Sequence, residues 1–196
     1  QHPAPAEQAV YTSLYHADRV CFDAKWDELQ AHTTVWVSPE DDIEFRQVEL
    51  RNLGERTLDL ELLSAFEVTL ADARADEAHP AFSNLFVRAH WRAAHQALVF
   101  ERKPRLATER GLWAAHFLAG SDPQVLAVQV QTDRQRWLGR NRGASRPLAV
   151  FDAMPAVSAE TGLALDTGFD PVCALAVHLR IEPHAKVLLT FATAAS

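Results

Sequence analysis

The sequence predicts an all-β protein built as an antiparallel two-sheet sandwich, and three observations predict it. Apolar and polar residues alternate with a period of two from end to end. Only two short stretches, residues 71–78 and 133–138, carry a helical pattern. The length of 196 residues and 48% hydrophobic content are those of one large domain, so residues 1–196 are read as a single unit.

Taken in order, the Pro- and Ala-rich first six residues are expected to fray. Residues 20–26 and 33–37 alternate as strands, and Ser38-Pro39-Glu40-Asp41-Asp42 has the composition of a tight turn between strands. Over residues 43–50 the apolar parity switches between Phe45 and Val48, which predicts a β-bulge. Asn52 and Gly54, both tolerant of positive φ, are expected to supply the following turn. Leu58, Leu60, Leu62, Phe66, Val68 and Leu70 share one parity, and Asp59, Glu61, Glu67 and Thr69 the other, as a long half-buried strand requires. Further strands are expected over residues 85–91, 97–101, 113–119 and 126–130. Residues 141–159, with weak periodicity, read as a long ordered loop. Cys173, Leu175, Val177, Leu179 and Ile181, followed after a short turn by Val187, Leu189 and Phe191, predict a C-terminal β-hairpin.

Composition excludes several classes of function. A net charge of −7 provides no positive field for phosphodiesters, so nucleic acid is not an expected partner, and direct contact with an anionic membrane surface is disfavoured for the same reason. No apolar run approaches the roughly 20 residues that a spanning helix needs, and a soluble domain is expected. Cys21 and Cys173, each among apolar neighbours, read as buried free thiols in a reducing compartment rather than as a disulfide framework. Five Trp and ten Phe predict a core of rigid rings, with a surface ring suited to stacking on sugars.

The chain has no Gly-rich phosphate loop, no His-Glu-x-x-His, no zinc-spaced Cys pair and no Gly-x-Ser-x-Gly elbow, so no catalytic residue, metal or cofactor is nominated. His90 and His95, five apart, would face opposite sides of a strand. Glu40, Asp41 and Asp42 could be put forward as a glycosidase-type carboxylate pair, but their turn composition favours a solvated loop. Two segments stand out. In His79-Pro80-Ala81-Phe82-Ser83-Asn84-Leu85-Phe86 an imidazole, a ring and an amide share one connection. Residues 133–142 place Arg134, Arg136, Arg140 and Arg142 around Trp137 in an otherwise acidic chain. Guanidinium forks beside rings suit hydroxyl-rich or phosphate-bearing ligands. An internal salt-bridge knot, with Asp133 capping a short helix, is the equally open alternative.

In sequence order, the segments Ser38 to Asp42 with Glu44 to Asn52, His79 to Val87, Thr132 to Arg142 and Gly162 to Pro171 resemble the β-supersandwich domain of cyclic β-1,2-glucan synthases. The same domain precedes the helical barrel of the related cellobiose and chitobiose phosphorylases. The resemblance runs from about Val10 to Thr193. It implies a galactose-mutarotase-like supersandwich, a fragment of a larger multidomain protein that begins inside the domain and lacks its first strand. It also implies a noncatalytic accessory role, in which the domain binds β-1,2-glucan or a related oligosaccharide through His79, Asn84, Arg134, Arg140 and Arg142 and packs against an (α/α)6 barrel. By the same implication the parent is a membrane protein whose catalytic modules face the cytoplasm at the bacterial inner membrane. Trp137, Asn141 and His184 depart from the family's Phe, Gly and Gly, and an exposed edge adds the expectation of a homodimer. Two other readings stay in view: a purely structural domain that braces the barrel and mediates oligomerisation, and a stand-alone aldose epimerase using His178 and Glu67 as its acid and base.

Overall fold

The computed structural model describes residues 9–104, 106, 108–120, 122–143, 147 and 163–196. The first six residues, and most of the loop expected over residues 141–159, lie outside the described residues. Among the described residues, alternation produces twelve antiparallel strands in two sheets. The larger sheet runs, in spatial order, β1 (Val10–Tyr15), β2 (Val20–Lys25), β3 (Leu29–Val37), β4 (Ile43–Asn52), β12 (Lys186–Ala195), β8 (Leu112–Ala119), β7 (Ala97–Arg102), β6 (Val87–Arg92) and β10 (Leu163–Leu165). The smaller one runs β5 (Leu58–Glu67), β11 (Pro171–Ile181), β9 (Val125–Asp133). Helices are short: α1 (Ala73–Ala78), α2 (Pro80–Asn84) and α3 (Arg134–Leu138).

The core lies between the sheets. Val48, Leu50, Leu98, Phe100, Leu118, Val187, Leu189 and Phe191 from the large sheet meet Cys173, Leu175, Val177, Leu179 and Ile181 from β11. The outer face of β11 is buried too, because Trp137 and Leu138 of α3 cover Val172, Ala174 and Ala176. Burial on both faces is why β11 reads as a nearly continuous apolar run. From the wing formed by β1 to β3, Leu29 and Ala31 pack against this core. In that wing Cys21 is the one buried side chain, with its Sγ 3.7 Å from the Thr34 hydroxyl. Both cysteines are free and buried, as expected, and burial pushes the Cys173 thiol well up.

Several local expectations are corrected. β11 and β12 do not form a hairpin: β11 pairs with β5 and β9, whereas β12 pairs with β4 and β8. Both edges of each strand are occupied by other partners, so the turn after Ile181 arches from one sheet to the other. His184, at φ 58°, takes its left-handed position. β4 holds an unbroken register with β3 and β12 and contains no bulge. The parity switch has a different cause: Val48 and Leu50 face the core, while Phe45 faces the opposite side and stacks on Trp36 at 5.2 Å. Asn52 and Gly54 do not adopt positive φ; the turn is closed by the Asn52 side chain, whose Oδ1 accepts from Gly54 N at 2.9 Å. The strand expected to reach Leu70 ends at Glu67, with Leu70 itself at φ 47°. His95 sits in a 3-10 turn rather than a strand. The acidic cluster is a turn, with the Glu40 and Asp41 amides donating to the Ser38 hydroxyl.

Candidate functional site

The two segments singled out by sequence leave the small sheet at the same end, where Glu67 of β5 lies opposite Val172 and Asp133 of β9 lies opposite Pro171. From β5 the chain enters α1, capped by Asp72 Oδ1, which accepts from the Arg74 and Ala75 amides. His79 divides the two helices: its N–H donates to Ala75 O, and its own carbonyl accepts from Ser83 N at 2.9 Å. Pro80 then opens α2, where its missing N–H costs nothing. The Arg102 guanidinium holds this connection down, donating to Thr69 O at 3.3 Å and Ser83 O at 3.0 Å, and lying 5.7 Å from the Phe86 ring centre. The His79 side chain is exposed, and Asn84 Oδ1 is buried without a hydrogen-bond partner.

From β9 the chain enters α3, capped by Asp133 Oδ1, which accepts from the Gln135 and Arg136 amides at 2.8 and 3.3 Å. Arg134 donates to Glu67 at 2.8 Å and to Asp170 at 3.3 Å, which ties β5, β9 and the strand entering β11 together. Arg136 bridges Asp133 and Asp166. Half of the arginine segment is therefore the salt-bridge knot. Arg140 and Arg142 differ: both are exposed, and among the described residues neither has an ion pair or hydrogen bond. They follow the turn at Gly139 (φ 73°), with Asn141 at φ 60° in the conformation Gly would favour. The predicted contact residues thus fall into two groups, His79 and Asn84 on one connection and the three arginines on the other.

Sequence reasoning missed the loop at residues 166–170, which completes the knot. The Asp166 carbonyl accepts from the Thr132 hydroxyl at 2.7 Å, its Oδ1 accepts from Gly168 N, and Phe169 is 72% exposed. Gly168 was the available signal. It has φ +56°, and an added Cβ would lie 2.9 Å from Asp133 Oδ2, so a side chain there would displace the α3 cap. Gly168→Ala is therefore expected to cost about 2 kcal/mol, combining left-handed strain with a weakened cap. A thermal melt checks this, and an unchanged midpoint would mean that Asp133 can swing aside freely.

The epimerase pair does not assemble. His178 bonds Asp59, which Arg180 also holds at 3.1 Å, and these two partners keep the Asp59 carboxyl below its ordinary range. Glu61, opposite His178, lies six residues before Glu67, ~20 Å along the strand. Glu67 is taken by Arg134. An open groove of about 910 Å³, lined by Tyr15, His16, Asp18, Arg19, Val35 and Pro39, lies apart from these groups at the β1–β2 turn.

The profile of the glycosyl hydrolase 94 supersandwich domain matches residues 1–196. The chain belongs to that family. Cyclic β-(1,2)-glucan synthase NdvB of Rhizobium meliloti (strain 1021) is 29% identical to the supersandwich domain over 193 residues, which are 98% of this chain and 7% of that protein. The supersandwich domain thus spans about 7% of the length of the curated relative it matches. Among solved structures, a protein described as a kojibiose phosphorylase from the human microbiome aligns over 91% of this chain and 17% of its own, with a TM-score of 0.46 and 8% identity. An aldose 1-epimerase of Klebsiella pneumoniae subsp. pneumoniae MGH 78578 aligns over 94% and 53%, with a TM-score of 0.35 and 11% identity. Among the described residues of the supersandwich domain, no helix is long and apolar enough to cross a membrane.

Proposed function

We propose that this supersandwich domain is a noncatalytic carbohydrate-binding accessory domain of a cyclic glucan synthase or glycoside phosphorylase, and that its ligand is a β-1,2-linked glucan. One observation carries the reading. Arg140 and Arg142 are exposed and unengaged among the described residues, on the segment after α3, while the exposed Phe169 ring sits on the neighbouring loop, where Gly168 meets Asp133. Guanidinium forks grip vicinal hydroxyls, and a ring stacks on the apolar face of a pyranose. The glucan synthase named above makes β-1,2-linked glucan the first ligand to try. As part of the same proposal, the parent protein sits at the inner membrane with this domain on its cytoplasmic face, which agrees with two free thiols.

A second reading, a brace for a helical barrel, is favoured by the Arg134 and Arg136 knot, which spends half of the local positive charge within the fold. A titration of isotope-labelled domain with β-1,2-gluco-oligosaccharides, followed by two-dimensional amide NMR, separates the two. The expected result is shifts clustered at residues 79–86 and 134–142 that strengthen with chain length and fade in Arg140→Ala. Amides that stay still at millimolar sugar would leave the brace as the better reading.

A further inference from the structure

The nine-stranded sheet gives one face to the core and turns the other away from it. On β6, β7 and β8 the core face carries Ala89, Trp91, Leu98, Phe100 and Leu118. Alternation therefore sends Arg88, His90 and Arg92 of β6, Val99 and Glu101 of β7, and Trp113 and Ala115 of β8 to the outer face. Register sets them in rows: Arg88, Glu101 and Trp113 lie side by side across the three strands, and His90, Val99 and Ala115 form the next row. The short side chains of Val99 and Ala115 leave the middle of the patch low. On one side of it stands the Trp113 indole, 39% exposed, and on the other the two guanidiniums and one imidazole of β6. Glu101 closes the first row, with its carboxylate 4.0 Å from His90 Nε2. Arg88 and Arg92 are exposed, and among the described residues neither has an ion pair or hydrogen bond, although acids outnumber bases in the chain. We infer that this outer patch of β6 to β8 is a second saccharide-binding site, which takes a neutral pyranose ring between Trp113 and the β6 stripe.

The chemistry of the patch selects that ligand. A pyranose has an apolar face and a rim of hydroxyls. Trp113 offers a ring to the first, while the Arg88 and Arg92 forks donate to the second and the Glu101 carboxylate accepts from it. An apolar ligand would leave those charges desolvated and unpaired. A strongly anionic one would meet Glu101 and the field of a chain with net charge −7. β6 and β8 stand two strand spacings apart, roughly 10 Å, which lets one sugar ring lie over β7. The base of the indole is fixed, because the Trp113 backbone N–H donates to Ser196 O and its carbonyl accepts from Ser196 N, both at 3.0 Å. The site belongs to the large sheet, whereas α3 packs on the small one. It shares with the function proposed above only the class of ligand, and each stands or falls by itself.

Amide NMR of the isotope-labelled 196-residue chain, titrated with glucose and with a β-1,2-linked glucotriose, tests the inference. The expected result is a set of saturable shifts at residues 88–92, 97–101 and 113–117. Their affinity should fall about tenfold in Trp113→Ala and in Arg88→Gln, stay close to the parent's in Trp113→Phe, and be unchanged in Arg140→Ala. Trp113 and Arg88 are exposed, so both variants are expected to melt as the parent does. Shifts confined to residues 134–142 would support the site after α3 and overturn this one. Shifts confined to β6, β7 and β8 would do the reverse. Sugar binding at β6 to β8 that survives both Trp113→Ala and Arg88→Gln also overturns the inference, and amides that stay still with either sugar overturn both sites.

Discussion

Replacing Asn52 with aspartate is expected to cost more than about 3 kcal/mol at neutral pH, although the change is nearly isosteric. Asn52 is fully buried at the end of β4. Its Nδ2 donates to Arg56 O at 2.7 Å, Ile181 O at 3.0 Å and Glu182 O at 3.1 Å, and its backbone N–H donates to Ala185 O. One amide thus closes the turn after β4 and pins the arch between β11 and β12. Aspartate would set an acceptor oxygen against those three carbonyls, and burying its charge there is costly unless it takes up a proton. The loss should therefore shrink as pH falls, while Asn52→Ala should cost about 2 kcal/mol at every pH. Urea unfolding at pH 7 and pH 5 checks both variants. An aspartate variant within about 1 kcal/mol of the parent would show that the strand ladders hold the arch unaided.

Acid should weaken the fold through His116. This residue is 1% exposed between Phe66, edge-on at 5.2 Å, and Phe191, stacked at 5.8 Å. Its Nδ1 bonds the Thr193 hydroxyl, and Nε2 has no partner. Burial, with a smaller contribution from the Arg46 charge, lowers its pKa to about 4 from 6.5. Because the folded pKa is depressed, the unfolded chain takes up the proton first. Stability is then full above about pH 6.5 and falls progressively toward pH 4, by about 3 kcal/mol in all. His116→Leu keeps an apolar filler between the rings and should flatten that slope relative to the parent. Equal slopes in parallel melts between pH 7 and pH 4.5 would place the acid sensitivity elsewhere.

Sequence alone revealed ten of the twelve strands described, because a half-buried strand must alternate and no other element uses a period of two, but it named neither β1 nor β10. It revealed α3 through Asp133, whose cap needs no tertiary partner. What it could not reveal was pairing. The turn between Ile181 and Lys186 is as compatible with a hairpin as with an arch, and only the competition of β5, β9, β4 and β8 for the two strand edges decides between them. Phe45 misled for a related reason, since the outward face of the large sheet carries its own aromatic pair and an apolar residue there mimics a slipped register. At the candidate site, Arg134 and Arg140 are alike in sequence and opposite in situation. The acids that engage Arg134, at positions 67 and 170, lie far away along the chain and meet it only once the small sheet has formed.

The position of the last two strands bears on how the chain acquires its structure during synthesis. β11 is the middle strand of one sheet, and β12 lies between β4 and β8 in the other. Until residues 171–196 leave the ribosome, β5 has no neighbour, β9 has none, and the large sheet is two halves with a gap between them. Every earlier strand must wait with its apolar side chains unsheltered, and the closing contacts span more than a hundred residues, as between Asn52 and Ile181. Such a topology folds slowly and late, and it leaves this domain of the nascent chain open to aggregation until its last two strands emerge.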